Sequence, residues 1–194
     1  RFEGMINKNN KILDKVLDKL KENKSASVVS DIGNVISQEL EDSEFIIVRN
    51  LSGHSLGKDA IHSGLTISNC INESNISLNN MAFAIEPFLT TGRGEIYEGR
   101  DSEIFMLEDD ERQVRDKDAR DLLKFIKENY KTRPFCRRWL EKQGFKKLNF
   151  LLKLMTKQGI LHNFPVLIEK NKKPVSQAEH TVVISGSNVF ITTR

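Results

Sequence analysis

The strongest constraint on the fold of this chain is a change in hydrophobic spacing that occurs twice along its length. Apolar runs of strand length occur at 45–48 and 81–88, and the pattern of a β-hairpin occupies 181–193. Between about 107 and 160 the apolar residues instead recur every three or four positions, which is the period of an amphipathic helix. These spacings predict an α/β (α+β) protein with a small helical subdomain inserted in a strand framework.

Two amphipathic helices are predicted before the first strand. The first carries an apolar stripe and ends near 23–25; the stripe consists of Ile12, Leu13, Val16, Leu17 and Leu20. Asp31 is a candidate N-cap for the second. The inward residues of the second helix are predicted to be Ile32, Val35, Ile36 and Leu40.

The inserted subdomain is predicted to contain three short helices. Pro134 suits the first turn of a helix, and Gly159 suits a C-terminal cap. In the segment FCRRWL, Phe135 and Trp139 are expected to face inward. The chain is therefore divided into 1–106 with 175–194 as the main domain, and 107–174 as a helical, winged-helix-like insertion.

Composition excludes few classes of protein, but it favours a cytoplasmic one. The net charge of +3 gives no argument for binding to nucleic acid or membrane by the chain as a whole. The two cysteines, Cys70 and Cys136, are far apart and have no metal-like spacing, which favours a reducing compartment. The sequence has neither a signal-peptide apolar region nor an apolar stretch near the ~18 residues of a membrane span.

The charge is unevenly distributed around the predicted insertion. Residues 95–121 carry eleven acids and five bases, whereas 124–157 carry eleven bases and two acids. Such runs are usually solvated helix faces. The alternative is a basic face that binds RNA, tested by charge reversal at Arg137 and Arg138.

Five polar residues, two histidines and three acids, are candidates for chemistry. His54, Asp59 and His62 lie in the glycine-rich segment GHSLGKDAIHSG, Glu86 interrupts the apolar run MAFAIEPF, and Glu179 opens the last hairpin in SQAEHTVVI. Histidine and carboxylate side chains together form a ligand set that suits Mn, Fe, Co or Zn. Spacing alone leaves this open, because loop histidines and salt-bridged surface acids would give the same pattern.

The order of four sequence blocks resembles the C-terminal part of the type II methionine aminopeptidases, a family of pita-bread metallopeptidases. The blocks are NLSGHSLGKDAIHSGLTISN, AIEPFLTTGRG, FCRRWLEKQG and SQAEHTVVI, and the resemblance runs from about Ser27 to the end. The segment IHSG resembles the type II pattern rather than type I, and the interval between Glu86 and Glu179 leaves room for the helical insertion of type II. Proline-cutting peptidases of the same fold match the EHT context less well.

The resemblance implies a metal-dependent hydrolase that removes the N-terminal methionine from nascent polypeptides. His54, Glu86 and Glu179 match ligands of a centre holding two divalent metal ions (Co, Mn, Fe or Zn). His62 matches the histidine that contacts substrate and stabilises the tetrahedral intermediate. Substrates are expected to begin with methionine followed by a small residue.

Two further residues match positions that line the pocket for the methionine side chain. These are Ile61 and Phe164, the latter from the segment HNFPVL. An apolar pocket with an aromatic wall suits the polarisable thioether of methionine.

The chain also departs from the family pattern. The family's two aspartate ligands and a further histidine fall before Arg1, so we expect this chain to need an N-terminal half, in cis or as a separate chain, for activity. Alone, with three of five ligands, it is expected to hold at most one metal ion, weakly. Ser68 stands where relatives usually have proline, and Ala178 where they commonly have an aromatic residue.

Two other functions stay open at the level of sequence. The chain is alternatively a non-catalytic pita-bread relative that binds protein or RNA, although retention of all three ligand positions argues against this. The basic insertion is alternatively an independent nucleic-acid module, or a surface through which the enzyme meets the ribosome.

Overall fold

The computed structural model describes residues 2–109 and 111–193. Arg1, Asp110 and Arg194, which fall within the predicted domain ranges, lie outside the described residues. The predicted α/β class is confirmed. The helices are α1 Glu3–Asn23, α2 Val29–Leu40, α3 Lys117–Asn129, α4 Arg137–Lys142 and α5 Leu148–Lys157, with a 3-10 turn at Lys24–Ala26. The strands are β1 Ile46–Ile47, β2 Gly53–Leu56, β3 Thr66–Ile67, β4 Met81–Ile85, β5 Phe88–Thr90, β6 Ile96–Leu107, β7 Phe135–Cys136, β8 Leu161–Glu169, β9 Val175–Gln177, β10 His180–Ser185 and β11 Asn188–Ile191.

The described chain forms two compact units. Unit one contains 1–57, 62–97 and 167–194, and unit two contains 58–61 and 98–166. The strands β6 and β8 each run from one unit into the other. The domain division proposed from the sequence stays a prediction.

Unit one is built around a five-stranded sheet with the order β11-β10-β4-β2-β3 and a smaller sheet with the order β1-β5-β9. Alternate residues of the central strands, among them Phe83, Val182 and Ile184, are fully buried in one cluster with the apolar stripes of α1 and α2. The predicted hairpin near the end is confirmed as β10 and β11, paired from Val182–Ile191 to Ser185–Asn188.

Two predicted apolar strands of unit one are shorter than expected. The run 45–48 pairs only at Ile46 and Ile47, and Ile46 is exposed. The run 81–88 is split into β4 and β5, because Glu86 and Pro87 interrupt it. Proline has no backbone N–H to donate to a strand ladder, so the strand is interrupted at Pro87.

The two N-terminal helices are confirmed, but the predicted cap of the second is wrong. Helix α2 begins at Val29, with Val28 as its N-cap, so Asp31 lies inside the first turn. Its Oδ2 accepts hydrogen bonds from the Val28 N–H at 3.0 Å and from Asn23 Nδ2 at 2.9 Å. A carboxylate within the first turn still interacts favourably with the positive end of the helix dipole.

A buried asparagine fastens α1 to the corner that follows β4. Asn9 has no exposed surface, and its Nδ2 donates to Pro87 O at 2.9 Å, Ser176 O at 3.1 Å and Ser176 Oγ at 3.2 Å. Buried amides persist only when they are hydrogen-bonded. The side chain therefore ties α1 both to Pro87 and to Ser176 of β9.

Unit two packs α3, α4 and α5 around a separate apolar core. That core includes Leu122, Ile126, Phe135 and Met155, all nearly or fully buried. Gly159 follows α5 with φ +68°, which confirms the predicted left-handed cap.

Two predictions within unit two are wrong. Trp139 is 42% exposed rather than inward, because Leu140 occupies the buried face of the short helix α4. Pro134 precedes the short strand β7 and does not lie in a first helical turn.

Among residues 2–109 and 111–193, no helix is both long and apolar enough to cross a membrane.

Candidate metal centre

The register of three adjacent strands brings His54, Glu86 and Glu179 to one end of the large sheet of unit one. His54 on β2 lies opposite Ala84 on β4. Glu86 directly follows β4, while Glu179 directly precedes β10, whose first residue, His180, pairs with Ile85. Glu179 therefore lies across from Glu86, and His54 lies on the other side of β4.

His54 and Glu86 face each other at close range without forming a hydrogen bond. His54 Nε2 is 3.1 Å from Glu86 Oε1, and both side chains are mostly buried, with 17% and 12% exposure. Glu86 Oε1 is nonetheless buried without a hydrogen-bond partner among the described residues. His54 Nδ1 lies 3.4 Å from Ser55 O, which would accept a hydrogen bond from the Nδ1–H tautomer. In that tautomer, the Nε2 lone pair and the Glu86 oxygen are two acceptors facing each other.

Glu179 joins this pair through Gln177. Gln177 Nε2 donates to Glu86 Oε2 and to Glu179 Oε2, at 3.2 Å each. Within the described part of the chain, no group of three histidine, cysteine, aspartate or glutamate side chains is arranged to hold a metal ion. The ligand set of His54, Glu86 and Glu179 therefore stays a prediction.

In unit one, the carboxyl of Glu86 has the largest pKa shift that favours the neutral form of a side chain. The pKa of its carboxyl is raised from 4.5 to about 7: burial is the largest cause, the negative charge of Glu179 adds to it, and the hydrogen bond from Gln177 opposes both. The ionised carboxylate at this position lacks the compensation that buried charges require.

His62 lies beside His54, as an exposed side chain. The ring centroids are 4.3 Å apart with an edge-to-face angle of 78°. Partial burial lowers the pKa of His62, and His54 lowers it further. A neutral imidazole keeps one N–H donor and one acceptor. The structure therefore brings together the two histidines that the sequence singled out.

Three polar residues that the sequence analysis did not select organise this region. Gln177 lies between the two carboxylates. Ser55 Oγ accepts from Ser63 Oγ at 2.9 Å and from the Leu65 N–H at 3.0 Å, which fixes the chain just after His62. Asn69 Nδ2 donates to Glu86 O at 2.7 Å. Alternation could have indicated Gln177, since residues 177 and 179 share a face of an extended chain.

The two residues predicted to line a methionine pocket both lie in unit two. Ile61 ends the segment 58–61, and Phe164 lies on β8, where its ring meets that of His162 edge-to-face at 4.7 Å. Their role in substrate binding stays a prediction.

The donor types at this end of the sheet are those that a divalent cation takes, although the described side chains are not arranged as a three-ligand site. A buried, unpartnered carboxylate oxygen faces an imidazole nitrogen, and a second carboxylate is one side chain away. Imidazole and carboxylate ligands suit Zn, Mn, Fe or Co. A cation between them would supply the charge compensation that Glu86 lacks.

Comparison with known proteins shows similarity in sequence and in fold. The methionine aminopeptidase of Archaeoglobus fulgidus is 38% identical over 167 residues, which cover 86% of this chain and 56% of that protein. Among solved structures, a thermophilic Arx1 matches with a TM-score of 0.71 and 15% identity over 96% of this chain and 54% of that one. A methionine aminopeptidase from Rickettsia prowazekii matches with a TM-score of 0.57 and 16% identity over 99% of this chain and 52% of that one. No family model matches the chain.

These similarities confirm the predicted pita-bread fold, since both solved structures overlay nearly the whole chain. The chain spans just over half the length of the curated relative it matches. Its sequence is similar to those of methionine aminopeptidases, and its fold is the pita-bread fold.

Proposed function

We propose that this chain is the C-terminal part of the catalytic domain of a type II methionine aminopeptidase, which removes methionine from the N-termini of nascent polypeptides. The observation that carries the proposal is the facing pair of His54 Nε2 and the unpartnered Glu86 Oε1, on neighbouring strands of a sheet that has the family's fold. A protein that only binds partners has no need of a buried carboxylate oxygen that lacks a hydrogen-bond partner and lies 3.1 Å from an imidazole nitrogen.

Three residues of this chain would hold the divalent cations. They are His54, Glu86 and Glu179. The two cations (Co, Mn, Fe or Zn) would supply Lewis-acid activation of the scissile carbonyl and of water. Gln177, which donates to both carboxylates, would orient them, as partners of metal ligands commonly do.

His62 acts on the substrate rather than on the metal. Its lowered pKa keeps the imidazole neutral at neutral pH, so one ring N–H is available to donate to the carbonyl oxygen as negative charge develops there. Ile61 and Phe164 line the pocket for the methionine side chain. The preferred substrates are proposed to carry a small residue directly after the N-terminal methionine.

Activity is proposed to need residues outside this chain. The Archaeoglobus fulgidus relative is about one and a half times as long as this chain, and the resemblance places two aspartate ligands before Arg1. We propose that these are supplied in cis or by a separate N-terminal chain, in the cytoplasm, where nascent chains are processed. The basic helices of unit two are proposed to meet the ribosome.

The test is release of methionine from a Met-Gly-Ala peptide by the complete peptidase, meaning this chain together with the aspartate-bearing part. Release is expected to require a divalent cation, to stop when the cation is chelated, and to be abolished by His54→Ala. Phe150→Ala, which changes an exposed side chain of unit two, is the matched control and should leave turnover unchanged.

Unchanged turnover in His54→Ala would show that the ligand assignment is wrong. If the complete protein releases no methionine with any of the four metals, the non-catalytic, partner-binding alternative is favoured instead.

A further inference from the structure

Four residues between the two histidines belong to a different unit from the histidines themselves. The chain leaves unit one after Gly57, contributes 58–61 to unit two, and returns to unit one at His62. Within unit two, this segment contacts the turn that joins α3 to β7. The contacts centre on Asp59.

Asp59 is held by three consecutive residues of that turn. Its Oδ2 accepts a hydrogen bond from Lys131 Nζ at 2.9 Å, and its Oδ1 lies 3.6 Å from Arg133 Nε. The backbone carbonyl of Asp59 accepts a hydrogen bond from Thr132 Oγ1. Both the side chain and the main chain of one residue are therefore fixed to the same turn.

The backbone on both sides of this contact adopts a sparsely populated conformation. Asp59 has φ +56° and Lys131 has φ +54°. Residues with side chains rarely occupy the left-handed region, and they persist there when surrounding contacts compensate for the strain. The hydrogen bond from Lys131 also holds the pKa of Asp59 below its ordinary value, so the carboxylate is charged at neutral pH.

The other end of the segment is fixed within unit one. Beyond His62, Ser63 N donates to Ser55 O at 3.0 Å, and the Ser55 hydroxyl accepts from Ser63 and Leu65. Residues 60–62 thus span the short interval between two anchors, Asp59 on one side and Ser63 on the other. His62, whose ring lies 4.3 Å from that of His54, is the last residue of this interval.

We propose that Asp59, held by its contacts with residues 131–133, is a positioning residue for the neighbouring His62 ring. The effect that this positioning role would have on catalysis rests on the proposed function. The effect on the position of the His62 ring does not rest on it.

An isolated surface ion pair would have no such role, since most of them contribute little. Asp118 and Lys147 provide that comparison within the same unit. Their side chains form a 3.0 Å pair that is exposed on both sides, and no backbone contact between Asp118 and the Lys147 region accompanies it in the described structure. The matched control for a change at Asp59 is therefore the same change at Asp118.

The test follows the ring protons of the histidines by NMR in the metal-free 194-residue chain. The chain has only four histidines, so His54→Gln and His62→Gln suffice to assign the pair, while His162 and His180 serve as internal references. His54→Gln also records where the His62 resonance lies without the neighbouring ring.

In Asp59→Lys, the His62 resonance is expected to shift towards its position in His54→Gln, because the ring moves away from His54. Lysine adopts a positive φ elsewhere in this chain, at Lys147 and Lys172, so the exchange does not itself forbid the backbone conformation. Combining Asp59→Lys with Lys131→Asp should restore the resonance towards that of the parent. Asp118→Lys should leave it unmoved, as should the references in every variant.

A His62 resonance that stays in place in Asp59→Lys would overturn the proposal, and so would an equal displacement in Asp118→Lys. If Asp59→Lys unfolds the chain, the resonances of His162 and His180 will also move to their unfolded positions. In that case the milder Asp59→Asn, which removes only the charge, is measured instead, and an unmoved His62 resonance in that variant overturns the proposal.

In the complete peptidase, Asp59→Lys is expected to lower kcat more than it raises KM, with rescue by Lys131→Asp. If the NMR result holds while even His54→Ala leaves peptide release unchanged, the proposed function fails and the positioning role stands. If His54→Ala abolishes release but the His62 resonance is unmoved in Asp59→Lys, the positioning role fails alone.

Discussion

Replacing Glu86 with glutamine is expected to stabilise the metal-free chain at pH values above 7. The ionised carboxylate is largely buried, it faces Glu179, and its Oε1 has no hydrogen-bond partner among the described residues. Glutamine keeps the shape and removes the charge. We expect an increase of about 1–3 kcal/mol in the free energy of unfolding, since a pKa difference of one unit corresponds to about 1.4 kcal/mol.

The sign of the pH dependence follows from the raised pKa. Because the folded state of Glu86 binds its proton more tightly than the unfolded state, with a pKa of about 7 against 4.5, the folded state loses stability as the pH rises between these values. Glutamine does not titrate. The difference between variant and parent should therefore be small at about pH 5 and fully developed at about pH 8, as measured by urea unfolding with a chelator present.

Glu169→Gln is the matched control, because it changes a second buried glutamate of the same unit whose surroundings are opposite. Burial acts to raise the pKa of Glu169, but the backbone N–H groups of Lys173, Arg93, Asn171 and Gly94 together outweigh it and lower the pKa. Its folded-state stabilisation is present above the unfolded pKa and is lost on acidification. Glu169→Gln should therefore destabilise the chain at pH 8. Destabilisation by Glu86→Gln under the same conditions would contradict our account of the site.

Gly53→Ala is expected to be among the most damaging single substitutions in unit one. A Cβ atom at residue 53 would lie 2.1 Å from Ala84 O and 3.0 Å from Ala84 C. These are backbone atoms of β4, the strand that pairs with β2 at His54, so no side-chain rotation relieves the clash. We expect a loss of about 3 kcal/mol of stability, at the upper end of overpacking costs.

Gly4→Ala provides the control for Gly53→Ala. At residue 4, the nearest atom to an added Cβ is a ring atom of Phe45 at 3.9 Å, an ordinary contact, and alanine is a better helix former in α1. Equal midpoints for the two variants in thermal unfolding would show that the close approach of β2 and β4 does not constrain residue 53.

Many of the helices and strands could be predicted from hydrophobic periodicity, because each long element forms where it can bury an apolar stripe. Helix α1 follows its stripe over its whole predicted length, since Ile12, Leu17 and Leu20 are fully buried. Periodicity was less useful where elements are short. In α4, which has only six residues, the choice between Trp139 and Leu140 depends on the neighbouring helices, which spacing does not reveal.

The candidate site could be predicted only through a resemblance between ordered blocks of sequence. His54, Glu86 and Glu179 are brought together by the register of β2, β4 and β10, and register between distant strands is not a local property. For the same reason, the roles of Gln177 and Asn69 were not predicted. Each acts through a partner that is distant in sequence or visible only once the strands are paired.

Calorimetric titration of the 194-residue chain with Mn²⁺ measures whether His54 and Glu86 are ligands of a divalent cation. We expect weak binding of one cation, abolished by His54→Ala and by Glu86→Gln and retained in Glu169→Gln. Absence of binding to the parent chain, or undiminished binding to both the His54→Ala and Glu86→Gln variants, would show that these two residues are not metal ligands.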